Sequence, residues 1–273
     1  MSSALYPLVP PFVAVVILLA RLLMDFGYKL GLVDEPNERS SHSKIIPRVG
    51  GLAIFLPYLV LGLGFYLTGY DYLQLNSGYW IGLGAIVALG TLDDRLDLSS
   101  SLKFFVQFAI AAYYVLSTGN YVDNLYGLFG VGALPSWLGI SLSIITVVYL
   151  INALNLIDGV DGLAAGISLL ALYLFSTLMG SDEHLITFAF IGLGLIVFMG
   201  FNYSNKRKIF LGDAGSLSLG FIIATFAMEF LHSGNAHHVH LNLNPVIVAI
   251  LILGYPVADT IRVFAIRISL GLS

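Results

Sequence analysis

The 273-residue sequence is 58% hydrophobic and only 10% charged, a balance too apolar for a water-soluble domain. It contains no cysteine, which excludes a disulfide framework, a thiolate metal site and a thiol nucleophile. The net charge of −4 is small, and in a membrane chain its distribution carries more information than its sum.

Taken in chain order, apolar runs between polar breaks predict nine membrane spans, centred near Val15, Val60, Ala85, Ile110, Ile144, Leu170, Leu193, Ala224 and Leu251. The runs approach the roughly 20 residues that cross a hydrocarbon layer. The first has no Lys or Arg before it and no small-residue cleavage site after it, so it reads as a retained helix rather than a signal peptide. Counting from an external amino terminus, the gaps after even-numbered spans hold Asp71, Asp123, Asp182, Glu183 and five histidines (His184, His232, His237, His238, His240), without Lys or Arg. All twelve basic residues fall on the other side: Arg21, Lys29, Arg39, Lys44 and Arg48 after span one, Arg95 and Lys103 after span three, Lys206, Arg207 and Lys208 after span seven, and Arg262 and Arg267 at the end of span nine. Lys and Arg collect in short cytoplasmic loops. The expectation is an all-α, polytopic transmembrane helix bundle with the amino terminus outside and the carboxyl terminus cytoplasmic.

The same cytoplasmic side receives most of the carboxylates, and ionisable groups at a membrane mark substrate or ion sites because their desolvation needs an offset. Val33 to Gly51 mixes cations with turn-formers, and its closing Gly50-Gly51 pair opens span two; a helix start of this kind is able to present N–H groups to phosphate, the alternative being a basic loop on the inner leaflet. Leu92-Asp93-Asp94-Arg95-Leu96-Asp97 ends span three. Neighbouring helical side chains diverge, so Asp93 and Asp94 are expected to serve different partners; capping or pairing with Lys103 is the plainer reading.

Asn152-Ala153-Leu154-Asn155-Leu156-Ile157-Asp158-Gly159-Val160-Asp161-Gly162 is the most specific stretch. Two Asn and two Asp at three-residue steps predict one polar stripe at a helix end, and oxygen-only ligands suit Mg²⁺ or Mn²⁺ rather than zinc. Asn202 to Ser216 places Asp213 between glycines just after three cations, where a carboxylate is suited to a metal that bridges to phosphate. In Asp259-Thr260-Ile261-Arg262 an ion pair at the membrane edge competes evenly with a catalytic role. The external histidines lie away from all of these acids.

These motifs resemble the polyprenyl-phosphate N-acetylhexosamine-1-phosphate transferases of glycosyltransferase family 4 over nearly the whole chain. The resemblance runs through Val33-Asp34-x-Pro36-Asn37-x-Arg39, Ile46-Pro47-x-x-Gly50-Gly51, Leu92-Asp93-Asp94-Arg95, Asn152-x-x-Asn155-x-x-Asp158-Gly159-x-Asp161-Gly162-Leu163 and Phe210-Leu211-Gly212-Asp213-x-Gly215-Ser216. It is nearest the undecaprenyl-phosphate N-acetylglucosamine-1-phosphate branch; the phospho-muramoyl-pentapeptide branch usually has Thr-Met where Arg48-Val49 stand and Thr in place of Ala214.

The resemblance implies transfer of an N-acetylhexosamine-1-phosphate from a UDP-sugar to undecaprenyl phosphate, releasing UMP, at the cytoplasmic face of a bacterial inner membrane, to start a lipid-linked cell-surface glycan. It implies Mg²⁺, with Mn²⁺ as a substitute, on Asp213 with Asn155 as second ligand. Asp93 and Asp94 would meet the lipid phosphate and donor, and Asp158 and Asp161 would line the sugar-nucleotide pocket. Asn202 and Phe210 would contact uracil, with Asn152, Arg39, Lys44, Arg48 and Lys103 binding substrate. Nucleic acid is not an expected partner, and a homodimer is left open.

Family members continue past the counterpart of Asp259-x-x-Arg262 into a cytoplasmic loop with a His-x-His-His motif and further spans. This sequence stops at Ser273, so the expectation is a single transferase domain over 1–273 without that loop. His237-His238-x-His240 would sit on the wrong side to replace it. Three rivals remain at this stage: a truncated inactive relative, a secondary transporter, which would keep its carboxylates near mid-membrane, and an intramembrane aspartyl protease, whose Gly-x-Gly-Asp needs glycine where Phe210 stands.

Overall fold

The computed structural model describes residues 5–36, 44–68, 77–232 and 243–269. They are mostly helical: α1 (Val9–Leu30), α2 (Gly50–Leu67), α3 (Ser77–Leu96), α4 (Ser100–Thr118), α5 (Ser136–Ile157), α6 (Leu163–Met179), α7 (Asp182–Asn202), α8 (Asp213–Leu231), α9 (Pro245–Ile252) and α10 (Gly254–Ser269). Two short strands, β1 (Val33–Asp34) and β2 (Ile46–Pro47), pair antiparallel between α1 and α2.

Every span centre expected from sequence falls on a helix. Among the described residues, six helices are long and apolar enough to cross a bilayer, or seven if α9 and α10 form one span bent by 65°. α6 is apolar but has only 17 residues. α3 carries two aspartates and an arginine in its last turn.

The helix α8 is the axis of the bundle. Apart from Asp213 and Glu229, all of its residues are buried, as an all-round apolar helix requires. Small residues bring its neighbours close: a Cβ on Gly51 of α2 would fall 2.2 Å from the Gly215 nitrogen, and one on Gly220 would fall 2.5 Å from the Ile151 Cα of α5. Where lipid is as apolar as the side chains, such close backbone packing is the main source of helix association. α1, by contrast, lies at the periphery and exposes Val15, Leu18, Leu22 and Phe26.

Two local expectations are corrected. The Gly50 and Gly51 N–H groups are not available to phosphate: they donate to the Phe210 and Leu211 carbonyls at 2.9 and 2.8 Å, while the Phe210 N–H donates to the Pro47 carbonyl at 2.8 Å. A loop nearly 160 residues downstream thus uses them up, and the glycines serve close packing. The polar stripe of Asn152, Asn155, Asp158 and Asp161 is helical only in its first half, because α5 ends at Ile157 and Asp158 caps it, its N–H pointing to the Asn155 carbonyl. Asp161 lies in the turn that follows.

Candidate active site

The cluster forms where the last turns of α3 and α5 meet the first turns of α4 and α8. A three-residue turn separates α3 from α4, and the Asp93 Oδ1 accepts from the Leu98 N–H across it at 2.9 Å. α4 therefore folds straight back and returns Lys103 to the same aspartate, with its Nζ 2.7 Å from Asp93 Oδ2 and 3.9 Å from Asp213 Oδ2. One ammonium holds two carboxylates that would otherwise repel.

Asp94 points elsewhere, as adjacent helical positions must. Its two oxygens accept from the backbone N–H groups of Asp213 and Ala214 at 2.9 and 3.0 Å. These are first-turn donors of α8, left without helical partners, and a carboxylate also suits the positive end of a helix. Gly212 precedes them at φ 75°, and a Cβ there would fall 2.7 Å from Asp94 Oδ2. The Gly212-Asp213 pair is thus what lets α8 begin against α3.

On the α5 side, Asn155 Oδ1 accepts from Ser216 Oγ at 3.1 Å, one turn beyond Asp213. Asn152 donates to the buried Gln107 Oε1 at 2.6 Å and to the Val148 carbonyl at 2.8 Å. Burial, with the charges of Asp213, Asp94 and Asp161 adding to it, pushes the Asp158 carboxyl well above the usual carboxylate range. This is the signature of an acidic cluster whose charge the protein alone does not balance.

A second group of predicted residues lies beside the first. Asp161 pairs with Lys208 and receives the Asn202 amide at 3.4 Å. Asn202 is 3% exposed, donates to the Ile209 carbonyl at 3.0 Å, and leaves its Oδ1 buried without a partner. Lys208 also stands 5.4 Å from the centre of the Phe210 ring. Arg48 is paired with Asp34 across the β1–β2 hairpin. Lys44 lines a cavity against α1, and Arg39 lies outside the described residues, as do His237, His238 and His240. Asp259 and Arg262 pair within α10 at 2.6 Å. Sequence reasoning assigned no role to Gln107, Ser216 and Asp34; Ser216 and Asp34 lay within motifs, whereas Gln107 carried no local signal.

Among the described residues, no three His, Asp or Glu side chains converge into a ready-made metal cage. That donor set still fits Mg²⁺, which is usually held by one or two carboxylates and completes its shell with water and substrate phosphate. Asp213 and Asn155 supply oxygen only.

Comparison with known proteins bears on the same residues. Positions 77–231 match Glycosyl transferase family 4. The chain belongs to that family. The family match contains Asp93, Asp94, Lys103, Asn152, Asn155, Asp158, Asp161, Asn202, Phe210 and Asp213. The chain is 34% identical over 257 residues to a probable undecaprenyl-phosphate N-acetylglucosaminyl 1-phosphate transferase of Bacillus subtilis, covering 90% of this chain and 66% of that protein. It is 30% identical over 259 residues to the undecaprenyl-phosphate alpha-N-acetylglucosaminyl 1-phosphate transferase of Yersinia pestis, with the same coverage, and 31% identical over 276 residues to that of Salmonella typhi, covering 96% and 70%. This member of glycosyl transferase family 4 thus spans about two thirds of the length of the curated relatives it matches.

Proposed function

We propose that this chain transfers N-acetylglucosamine-1-phosphate from its UDP-sugar to undecaprenyl phosphate, releasing UMP, at the cytoplasmic face of a bacterial inner membrane. The supporting observation is the joining of two groups: a carboxylate cluster gathered by Lys103 at the start of α8, and beside it Asn202 and Phe210, linked through Asp161 and Lys208. The relatives' names supply the substrates, and the one-sided distribution of all twelve Lys and Arg supports nine crossings with the amino terminus outside.

In this reading an oxygen of the lipid phosphate attacks the β-phosphorus of the donor. A bond forms from that oxygen to phosphorus, the bond to the bridging oxygen breaks, and UMP leaves with the electron pair. A phosphate monoester has its second pKa near about 6, so the acceptor is mostly a dianion and needs no strong base; Asp93 removes any residual proton. Lys103 keeps Asp93 and Asp213 together and adds positive charge where two anions must approach. Asp94 acts as a positioning residue, since both its oxygens are engaged by α8.

The unpartnered Asn202 Oδ1 accepts from the uracil imide N–H, and the Phe210 ring faces the base. Asp158 and Asp161 line the sugar-nucleotide pocket, which Asn152 supports from α5, and Arg39, Lys44 and Arg48 supply cations to the anionic substrates. Mg²⁺ or Mn²⁺ held by Asp213 and Asn155 would neutralise charge on the donor pyrophosphate.

The test is purified protein with radiolabelled UDP-N-acetylglucosamine, undecaprenyl phosphate and Mg²⁺, scored for lipid-linked sugar and UMP. Product that disappears with Asp213→Asn is expected. Folded wild-type protein that forms none, or an Asp213→Asn variant that turns over normally, would reject the assignment.

A further inference from the structure

On the flank of the molecule opposite in character to the acidic cluster, the second half of α1, the β2 strand and residues 205–208 border an open cavity of about 790 Å³. Among the described residues, Arg21, Lys44, Lys206, Arg207 and Lys208 line it with one carboxylate, Asp25. Arg21, Met24, Asp25 and Tyr28 follow helical i, i+3, i+4, i+7 spacing, so one face of α1 forms the wall. The Tyr28 hydroxyl donates to the Ile45 carbonyl at 3.3 Å and ties α1 to the segment before β2. Arg21 lies nine residues before the end of α1, about 13 Å along the axis.

We propose that this cavity binds a phosphate-bearing anion, and that the anion is the headgroup of an acidic membrane lipid. Charge sets the ligand class: Lys208 is paired with Asp161, but Arg21, Lys206 and Arg207 face Asp25 across the cavity, and a surplus of cations selects an anion. Position favours the lipid source: Leu18, Leu22 and Phe26 form an exposed apolar stripe on α1 next to the basic wall, where acyl chains would lie while the phosphate sits among Arg21, Lys206 and Arg207. Basic pockets between helices at the cytoplasmic side suit lipid phosphate. The inference stands whether or not the transfer reaction is as proposed, because none of these three residues belongs to the carboxylate cluster.

Native mass spectrometry of the full detergent-purified chain tests it, with phosphatidylglycerol against phosphatidylcholine of the same acyl chains. Phosphatidylglycerol should be retained preferentially, and Arg21→Gln with Arg207→Gln should weaken it about twenty-fivefold, near fivefold for each cation removed. Arg21→Lys with Arg207→Lys keeps the charge, controls for folding, and should retain the lipid. Displacement by millimolar inorganic phosphate would show that phosphate alone suffices for the site; resistance to it would show that the acyl chains contribute. Equal retention of phosphatidylcholine, unchanged binding in the Gln pair, or loss in the folded Lys pair would overturn the proposal. So would displacement by UDP, which would make the cavity a mouth of the nucleotide pocket. Transfer activity of the Gln pair in phosphatidylcholine-containing detergent should match wild type, which separates this inference from the catalytic one.

Discussion

Two charged regions of this chain are built on opposite plans. At the start of α8, carboxylates gather around one ammonium, and several polar atoms have named protein partners: Asp93 with Lys103 and the Leu98 N–H, Asp94 with two N–H groups of α8, Asn155 with Ser216. Beside α1, among the described residues, cations outnumber Asp25 and border open volume. The first region is stiff because its geometry depends on buried hydrogen bonds between helices, as suits a site that must position a reaction. The second is a charged recess of long side chains, suited to holding a headgroup without fixing it.

Substitutions sharpen that contrast in order of expected size. Asp213→Asn should lower transfer by about 10²–10³, the range seen when a principal electrostatic group at a reacting phosphate or oxyanion is lost, with little change in thermal stability because Asp94 rather than Asp213 holds the α8 N–H groups. Equal losses of stability and rate would break the distinction. Lys103→Met should cost about 10² in turnover, through unscreened repulsion between Asp93 and Asp213 as well as lost positive charge; the measurement is kcat with substrate saturation checked.

Asp94→Ala should act first on the fold, leaving two N–H groups unpaired at about 1–3 kcal/mol each, read as a lower unfolding midpoint in detergent. Asp94→Asn, which keeps one acceptor oxygen, should recover part of it. A variant as stable as wild type would refute the positioning role.

A smaller effect of opposite sign is expected at Asp158. Its carboxyl sits above the usual range in the fold, so ionisation costs more in the folded chain than in the unfolded one. The folded state therefore binds more protons, and ligand-free stability should fall as pH rises from the ordinary carboxylate range through the raised folded value. Asp158→Asn should flatten that slope and stabilise the ligand-free protein at neutral pH, measured as midpoint against pH. An unchanged slope would show that the buried carboxyl is not the source.

Much of the site was legible in the sequence because membrane chains advertise their polar residues. Asp93, Asp94, Asp158 and Asp213 stand out against apolar runs, and their common position at helix ends follows from counting spans. The division of labour between Asp93 and Asp94 was also predictable, since adjacent helical side chains diverge. The stripe from Asn152 to Asp161 was over-extended, because the helical period gives no sign of where α5 stops; Gly159 and Gly162 were the available signal. The glycine pair at the start of α2 was misjudged for a different reason. A free helix amino terminus and one already occupied by a distant carbonyl have the same local sequence.

The amino-acid sequence alone determined the class of molecule: apolar runs of bilayer length separated by polar breaks that carry five motifs. Those properties depend on composition and spacing, which are local. The tertiary structure alone decided what each motif does. Asp94 meets its partners 119 and 120 residues away, Gly50 and Gly51 donate to the loop before α8, and Arg21 becomes the wall of a basic recess. Each of these outcomes depends on which distant segments pack together, a result that no window of sequence contains.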